Sequence, residues 1–218
     1  MAGRHYKKCS TVWLVVSLGL IGLAFWLSSL SRANASPKYQ ADIVDLDYVL
    51  TIDNPSSGQA TVTMTVSNIS ADIFEVTETT WVGLIIDVLS LSARDADGNP
   101  LVVEHFPDSG RTGHFGDRAD VWRVHCSGLS QIIIEYTIHP ALRDIPWTSY
   151  PAYITPDWAG LWGETVFLIP YDNPCANTGS ISVSFSLPTG WTAYTPWTCE
   201  GNSYNPVLPD GPPIDYLT

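Results

Sequence analysis

Two acids, Asp157 and Glu164, stand among five aromatic side chains in the stretch SYPAYITPDWAGLWGETVFLIP, residues 149–170. Paired carboxylates facing each other across a cleft hydrolyse glycosides, so this is the first place to look for chemistry. The ground is weak, because a chain with 22 acidic residues always offers some such pair. The aromatics are the stronger signal. Tyr150, Tyr153, Trp158 and Trp162 fall in a loop ahead of the apolar run TVFLIP. They are candidate binding residues for a protein, a peptide or a glycan. Each ring also buries about 150–250 Å² when packed, so capping of a core is the competing reading.

Other reaction centres leave no trace. H-E-x-x-H, G-x-S-x-G, G-x-x-x-x-G-K-[ST] and G-x-G-x-x-G are all absent. His105, His114, His125 and His139 are scattered and read as surface or hydrogen-bonded residues. The loop DSGRTGHFGDRAD, residues 108–120, gathers Asp108, His114, Asp117 and Asp120 around three glycines. Clustered oxygen ligands suit calcium, yet a polar inter-strand loop is the favoured reading. DADGN, residues 95–99, lacks the spacing and closing Glu of a calcium loop and reads as a hairpin turn. Asn68-Ile69-Ser70 has the form of a glycosylation acceptor. No catalytic residue, metal ligand or cofactor is expected.

The elements that would position the aromatics are strands. ATVTMTVSN sets Val62, Met64 and Val66 against threonines. SISVSFSL sets Ile181, Val183, Phe185 and Leu187 against serines, and IIIEYTI places Ile132, Ile134, Tyr136 and Ile138 on one face. Such period-two patterning makes one dry and one wet face. DVWRVH and TVFLIP read as further short strands, the latter apolar enough to be central; WVGLIIDVLSL is either a buried strand or a short helix. DNPSSG, DADGN and PTG supply the turns. One-faced sheets bury their dry sides against each other, so the expectation is all-β: an antiparallel β-sandwich over residues 36–205. A Pro-rich tail follows at 206–218, PVLPDGPPIDYLT, and reads as a linker.

Residues 1–35 differ. A basic start, an apolar run from Val12 to Leu27 and an Ala33-x-Ala35 site form a signal-peptide pattern with cleavage after Ala35. The alternative is an uncleaved N-terminal anchor helix that tethers the chain through residues 12–27. Either reading exports the rest. Residues 1–35 hold four of the ten basic residues and none of the 22 acids, which leaves six bases and a net charge of −16. A surface so acidic repels phosphate backbones and anionic lipid, so nucleic acid is not an expected partner. Export also places cysteines where disulfides persist. Cys175 and Cys199 bracket a strand and a turn and are the expected pair; Cys126 reads as a buried free thiol.

Residues 93–197 carry a resemblance. ARDADGNPLVVE, VWRVHCSGLSQIIIEYTI, the aromatic loop into GETVFLIP and ISVSFSLPTGWTAYTPW occur in an order that resembles the N-terminal β domain of the glycyl aminopeptidase family, the tricorn-related zinc metallopeptidases. The resemblance implies a β domain that precedes a catalytic domain bearing H-E-x-x-H. No zinc ligand or general base carries over, because no position matches. The expected function is an exported, noncatalytic binding module. The alternatives are a fragment or subunit of a zinc aminopeptidase whose catalytic domain lies elsewhere, and a membrane-tethered structural surface module.

Overall fold

The computed structural model describes residues 43–78, 86–107, 119–140, 152–161, 163–171 and 178–205, all within the compact unit Gln40–Thr218. The expected signal or anchor helix, Tyr150, Trp162, Cys175 and the tail lie outside them.

The described chain is all-β apart from single helical turns. The large sheet has seven strands, in the order β12-β13-β11-β1-β2-β7-β4. They are β1 (Val44–Thr51), β2 (Ala60–Ser67), β4 (Ile86–Asp95), β7 (Gln131–Pro140), β11 (Thr178–Ser186), β12 (Thr198–Glu200) and β13 (Ser203–Asn205). The alternation read from sequence sorts as expected. Val62, Met64, Val66, Ile132, Ile134, Tyr136 and Ile138 are all buried, and the intervening threonines of β2 face outward. A smaller sheet, β10-β3-β6-β5, is built from β3 (Ile73–Thr77), β5 (Val103–Phe106), β6 (Val121–His125) and β10 (Ile169–Pro170). Phe74, Val76, Trp122 and Val124 of this sheet share one core with the dry face of the large sheet. Sheet on sheet is the arrangement in which both cover their apolar sides. Cys126 is buried, and its Sγ lies 3.4 Å from Ala71 O.

Two expectations need correction. The large sheet is mixed, since β1 pairs with β11 in parallel. A parallel pair needs a long crossover between its strands, and more than a hundred residues separate β1 from β11. The pairing slips between Val44 and Leu46. There the Asp45 carboxylate accepts the Ser180 amide at 2.8 Å and the Ser180 hydroxyl at 2.6 Å, in place of a backbone acceptor. A Cβ on Gly179 would meet Asp45 Oδ1 at 2.8 Å, so the slip calls for glycine.

The second correction concerns TVFLIP, which is not a central strand. Gly163–Val166 is a helical turn, α1, and only Ile169–Pro170 forms a strand, at the edge of the small sheet. Val166, Phe167, Leu168 and Ile169 are nonetheless core residues. Side chains replace the missing ladder. Tyr48 donates its hydroxyl to Leu168 O at 2.7 Å. Tyr136 donates to Val166 O at 3.0 Å and accepts the Leu168 amide at 3.0 Å. Both phenols are fully buried, and burial raises their pKa values well above the usual range, so they stay neutral donors. Pro170 fits an edge because an edge strand tolerates a missing donor.

Removing these hydroxyls strands buried backbone groups, at roughly 1–3 kcal/mol each. Tyr136→Phe orphans a donor and an acceptor, whereas Tyr48→Phe orphans one acceptor. Urea unfolding is expected to lose stability in both variants, more in Tyr136→Phe, with the slope unchanged. Equal midpoints in wild type and both variants would contradict this account.

Candidate functional site

The aromatic loop resolves into a hairpin of β8 (Tyr153–Ile154) and β9 (Ala159–Gly160). Its turn is closed by Thr155, whose amide reaches Trp158 O at 2.9 Å and whose hydroxyl donates to Trp158 O at 2.8 Å. Thr155 Oγ1 also accepts the Trp158 amide at 3.1 Å. The hairpin brings Tyr153 and Trp158 together, with ring centroids 5.8 Å apart. Trp158 remains 54% exposed. A Cβ on Gly160 would approach its ring to 3.0 Å, so glycine leaves room for the indole. Ile154, Ala159 and Leu161 pack against the core. Thus one side of the hairpin is anchored, and Tyr153 and Trp158 are offered outward.

Beside this hairpin lies an open groove of about 230 Å³. Its floor includes Leu50 of β1, Phe167 after α1 and Phe185 of β11. Ala159 and Leu161 line the hairpin side. The opposite side is residues 191–197, WTAYTPW, which form no strand. A turn launches that segment: Trp191 N donates to Pro188 O at 3.0 Å, and Gly190 has φ +90°. Glycine takes that backbone conformation without strain. Trp191 and Trp197 are half-buried against the core, whereas Tyr194 is 92% exposed. No carboxylate, imidazole, ammonium or guanidinium lines the groove among the described residues.

Of the four aromatic candidates read from sequence, the described ones are Tyr153 and Trp158. Tyr153 and Trp158 sit on the hairpin but do not line the groove. The lining aromatics are Phe167, Phe185, Trp191, Tyr194 and Trp197. A usable signal existed, since Trp191, Tyr194 and Trp197 recur every third residue in a segment ending at Pro196-Trp197. Of the carboxylate pair weighed from sequence, Asp157 is exposed at the hairpin turn and does not line the groove, and the Glu164 side chain lies outside the described residues. Cys199 is exposed and forms no disulfide among the described residues; its expected partner Cys175 lies beyond them.

DADGN forms the hairpin turn read from sequence, and residues 108–118 of the other acidic loop lie outside the described residues. At DADGN, Asp95 Oδ1 accepts the amides of Asp97 and Asn99 at 3.0 and 2.8 Å, and Oδ2 accepts Asn99 Nδ2 at 2.8 Å. These bonds, the Asn99 side chain foremost, hold the Asp95 pKa below its usual value, as a hairpin turn requires. Among the described residues no three His, Cys, Asp or Glu side chains could hold a metal ion.

An acidic cluster does form at the end of the small sheet. Asp120 binds His105 Nε2 at 2.7 Å, and its amide lies 3.5 Å from Glu78 Oε2. Thr77 Oγ1 donates to Asp120 O at 2.8 Å, and the His105 ring stacks on Trp122 at 4.9 Å. Burial, and then the nearby Asp120 charge, push the Glu78 carboxyl up to about 7.

No protein-family model matches the chain, and no curated protein matches it. Among solved structures it is similar to an aminopeptidase N family protein from Idiomarina loihiensis, with a TM-score of 0.53 and 13% identity over 79% of this chain. It spans 28% of that protein's length. It is also similar, at a TM-score of 0.39 and 10% identity, to an M1 zinc metallopeptidase from Deinococcus radiodurans, over 81% of this chain and 41% of that one. A third is leukotriene A4 hydrolase from Saccharomyces cerevisiae, at 0.36 and 10%, over 81% and 30%. The first likeness shows a shared fold, and the two weaker ones carry nothing further. The expected kinship with a peptidase β domain is thus met at the level of fold.

A raised carboxyl pKa means that the folded state holds the Glu78 proton more tightly than the unfolded chain does. Its contribution is present at low pH and is lost as pH rises from the ordinary carboxylate range through about 7. Stability is expected to fall by on the order of 2 kcal/mol between pH 5 and 8 on this account. Glu78→Gln should flatten that slope in chemical unfolding followed across pH. An equally steep slope in the variant would refute the assignment.

Proposed function

We propose that this chain is an exported, noncatalytic β-sandwich module that binds an apolar peptide segment of a partner protein in the groove between the hairpin and residues 191–197. The observation that carries the reading is the groove's lining: aromatic and aliphatic side chains, open to solvent and, among the described residues, without a charged group. Binding sites are mostly apolar concavities with a few polar groups. A glycan needs side chains that answer many hydroxyls, and Thr192, Thr195 and Tyr194 offer few. Tyr153 and Trp158 extend the contact surface at the hairpin tip. Membership of the glycyl aminopeptidase branch, with this chain as an N-terminal-type domain, is part of the same proposal.

The test is fluorescence titration of the exported product, which begins at Ser36 on this reading, with a panel of proline- and aromatic-rich peptides. Trp191→Ala and Trp197→Ala are expected to lower affinity at least tenfold for the peptides that bind, a loss typical of aromatic anchors. Unaltered affinity in both variants, or no binding by any peptide, would overturn the reading.

A second reading is favoured by the shared fold, because the resembling stretch is 28% of the Idiomarina aminopeptidase N family protein. On that view the module serves a zinc aminopeptidase whose catalytic part lies outside this sequence. Transcript sequencing past the Thr218 codon decides it: an in-frame H-E-x-x-H is the expected result, and an immediate stop followed by unrelated genes counts against it.

A further inference from the structure

The groove's aromatic rings belong to a chain that keeps its positive charges elsewhere. We infer that the groove's occupant is a basic peptide segment: its apolar residues lie along Trp191 and Trp197, and a flanking arginine or lysine rests on the Trp158 indole beside Asp157. This rests on the reading of the groove as a peptide site and names the class of peptide.

The distribution of charge is the first observation. Beyond residue 35 the chain has six bases, Lys38, Arg94, Arg111, Arg118, Arg123 and Arg143, against 22 acids, a net charge of −16. The groove is lined by residues between 50 and 52 and between 159 and 197. These belong to two stretches, 39–93 and 144–218, that contain no Lys, Arg or His and hold eight and seven of the acids. The two described arginines are engaged by carboxylates of the sheets. Arg94 lies 3.5 Å from Glu135, and Arg123 lies 2.7 Å from Glu75 and 3.5 Å from Glu104. Among the described residues no base reaches the groove's rings. The acidic surplus attracts a basic partner at range. It works against a second copy of this chain, which brings the same sign.

The second observation is the place offered to the cation. Gly160 stands between the lining residues Ala159 and Leu161, and Trp158 Cζ3 lies 3.0 Å from where a Cβ on Gly160 would be. The indole thus lies across the hairpin bank of the groove, half-exposed, with Tyr153 tilted against it at 5.8 Å. The Thr155–Trp158 hydrogen bonds hold this turn in place before any partner arrives. Asp157 precedes the indole and is exposed. Among the described residues no ion pair involves its carboxylate. Tryptophan faces attract ammonium and guanidinium more strongly than other rings do. A guanidinium can stack on a ring and pair with a carboxylate at once. The uncharged groove takes the apolar part of the peptide, because a charge buried there would find no partner. The basic residue therefore belongs at the rim.

The probes are the proline- and aromatic-rich peptides of the same panel, each synthesised with arginine, serine or glutamate at both ends. They are titrated by tryptophan fluorescence against the exported product, whose described core runs from Val44 to Val183. At about 0.01 M salt, where charges act over about 30 Å, the arginine forms are expected to bind best and the glutamate forms worst, about tenfold apart. The gap should narrow at about 1 M salt, where that range is about 3 Å. Asp157→Lys should lower the affinity of the arginine forms about threefold and leave the serine forms unchanged. Trp158→Leu should weaken the arginine forms more than the serine forms. Equal binding of all three forms overturns this inference alone, and so does an Asp157→Lys variant that keeps the full arginine preference. Arginine-form binding that survives Trp191→Ala and Trp197→Ala while serine-form binding is lost also overturns it, because the cation then sits elsewhere on the acidic surface. If no peptide binds in any form, the groove reading falls as well.

Discussion

Two phenol hydroxyls hold the architecture of this domain in place. Residues 166–169 are apolar and buried, yet only the last of them enters a sheet. Their amides and carbonyls need partners, since a buried unpaired backbone group costs as much as a lost hydrogen bond. Tyr48 and Tyr136 supply these from the large sheet, reaching Val166 and Leu168 at 2.7–3.0 Å. Tyr48 also packs its ring on Phe167, with centroids 4.9 Å apart. The tyrosines thereby fix the helical turn and β10, and with them Val166 and Phe167 in the groove. The site inherits its rigidity from the core.

Around that anchor, polar side chains repeatedly complete what the strands leave open. Asp45 takes over a ladder position where β1 and β11 slip. Asp95 ties its own turn. Thr155 closes the hairpin that carries Trp158. These are local bonds made by Asp and Thr, residues whose short side chains compete well for nearby amides. The acidic surplus of the chain is thus partly structural. The groove is the exception to this polarity among the described residues.

The sequence by itself determined the fold class and most of the core. Period-two patterning assigned the dry faces of β2, β7 and β11 because a strand has only two faces and one must be buried. The turns at 95–99 and 188–190 were legible because Gly98 and Gly190 adopt left-handed backbone that few residues tolerate. The missing motifs of peptidase and hydrolase chemistry were also visible in one dimension.

Only the tertiary structure decided the rest. The parallel pairing of β1 with β11 joins residues far apart in the chain, and side-chain alternation is the same for parallel and antiparallel strands. The fate of TVFLIP turned on two tyrosines from distant strands, so no local pattern could announce it. The aromatics around residues 150–162 promised a surface, but the groove needed a second bank, residues 191–197, brought alongside by folding. A strand's periodicity reports which side of it is dry. It carries no information about which other segment will stand opposite, and a groove is made by that opposition.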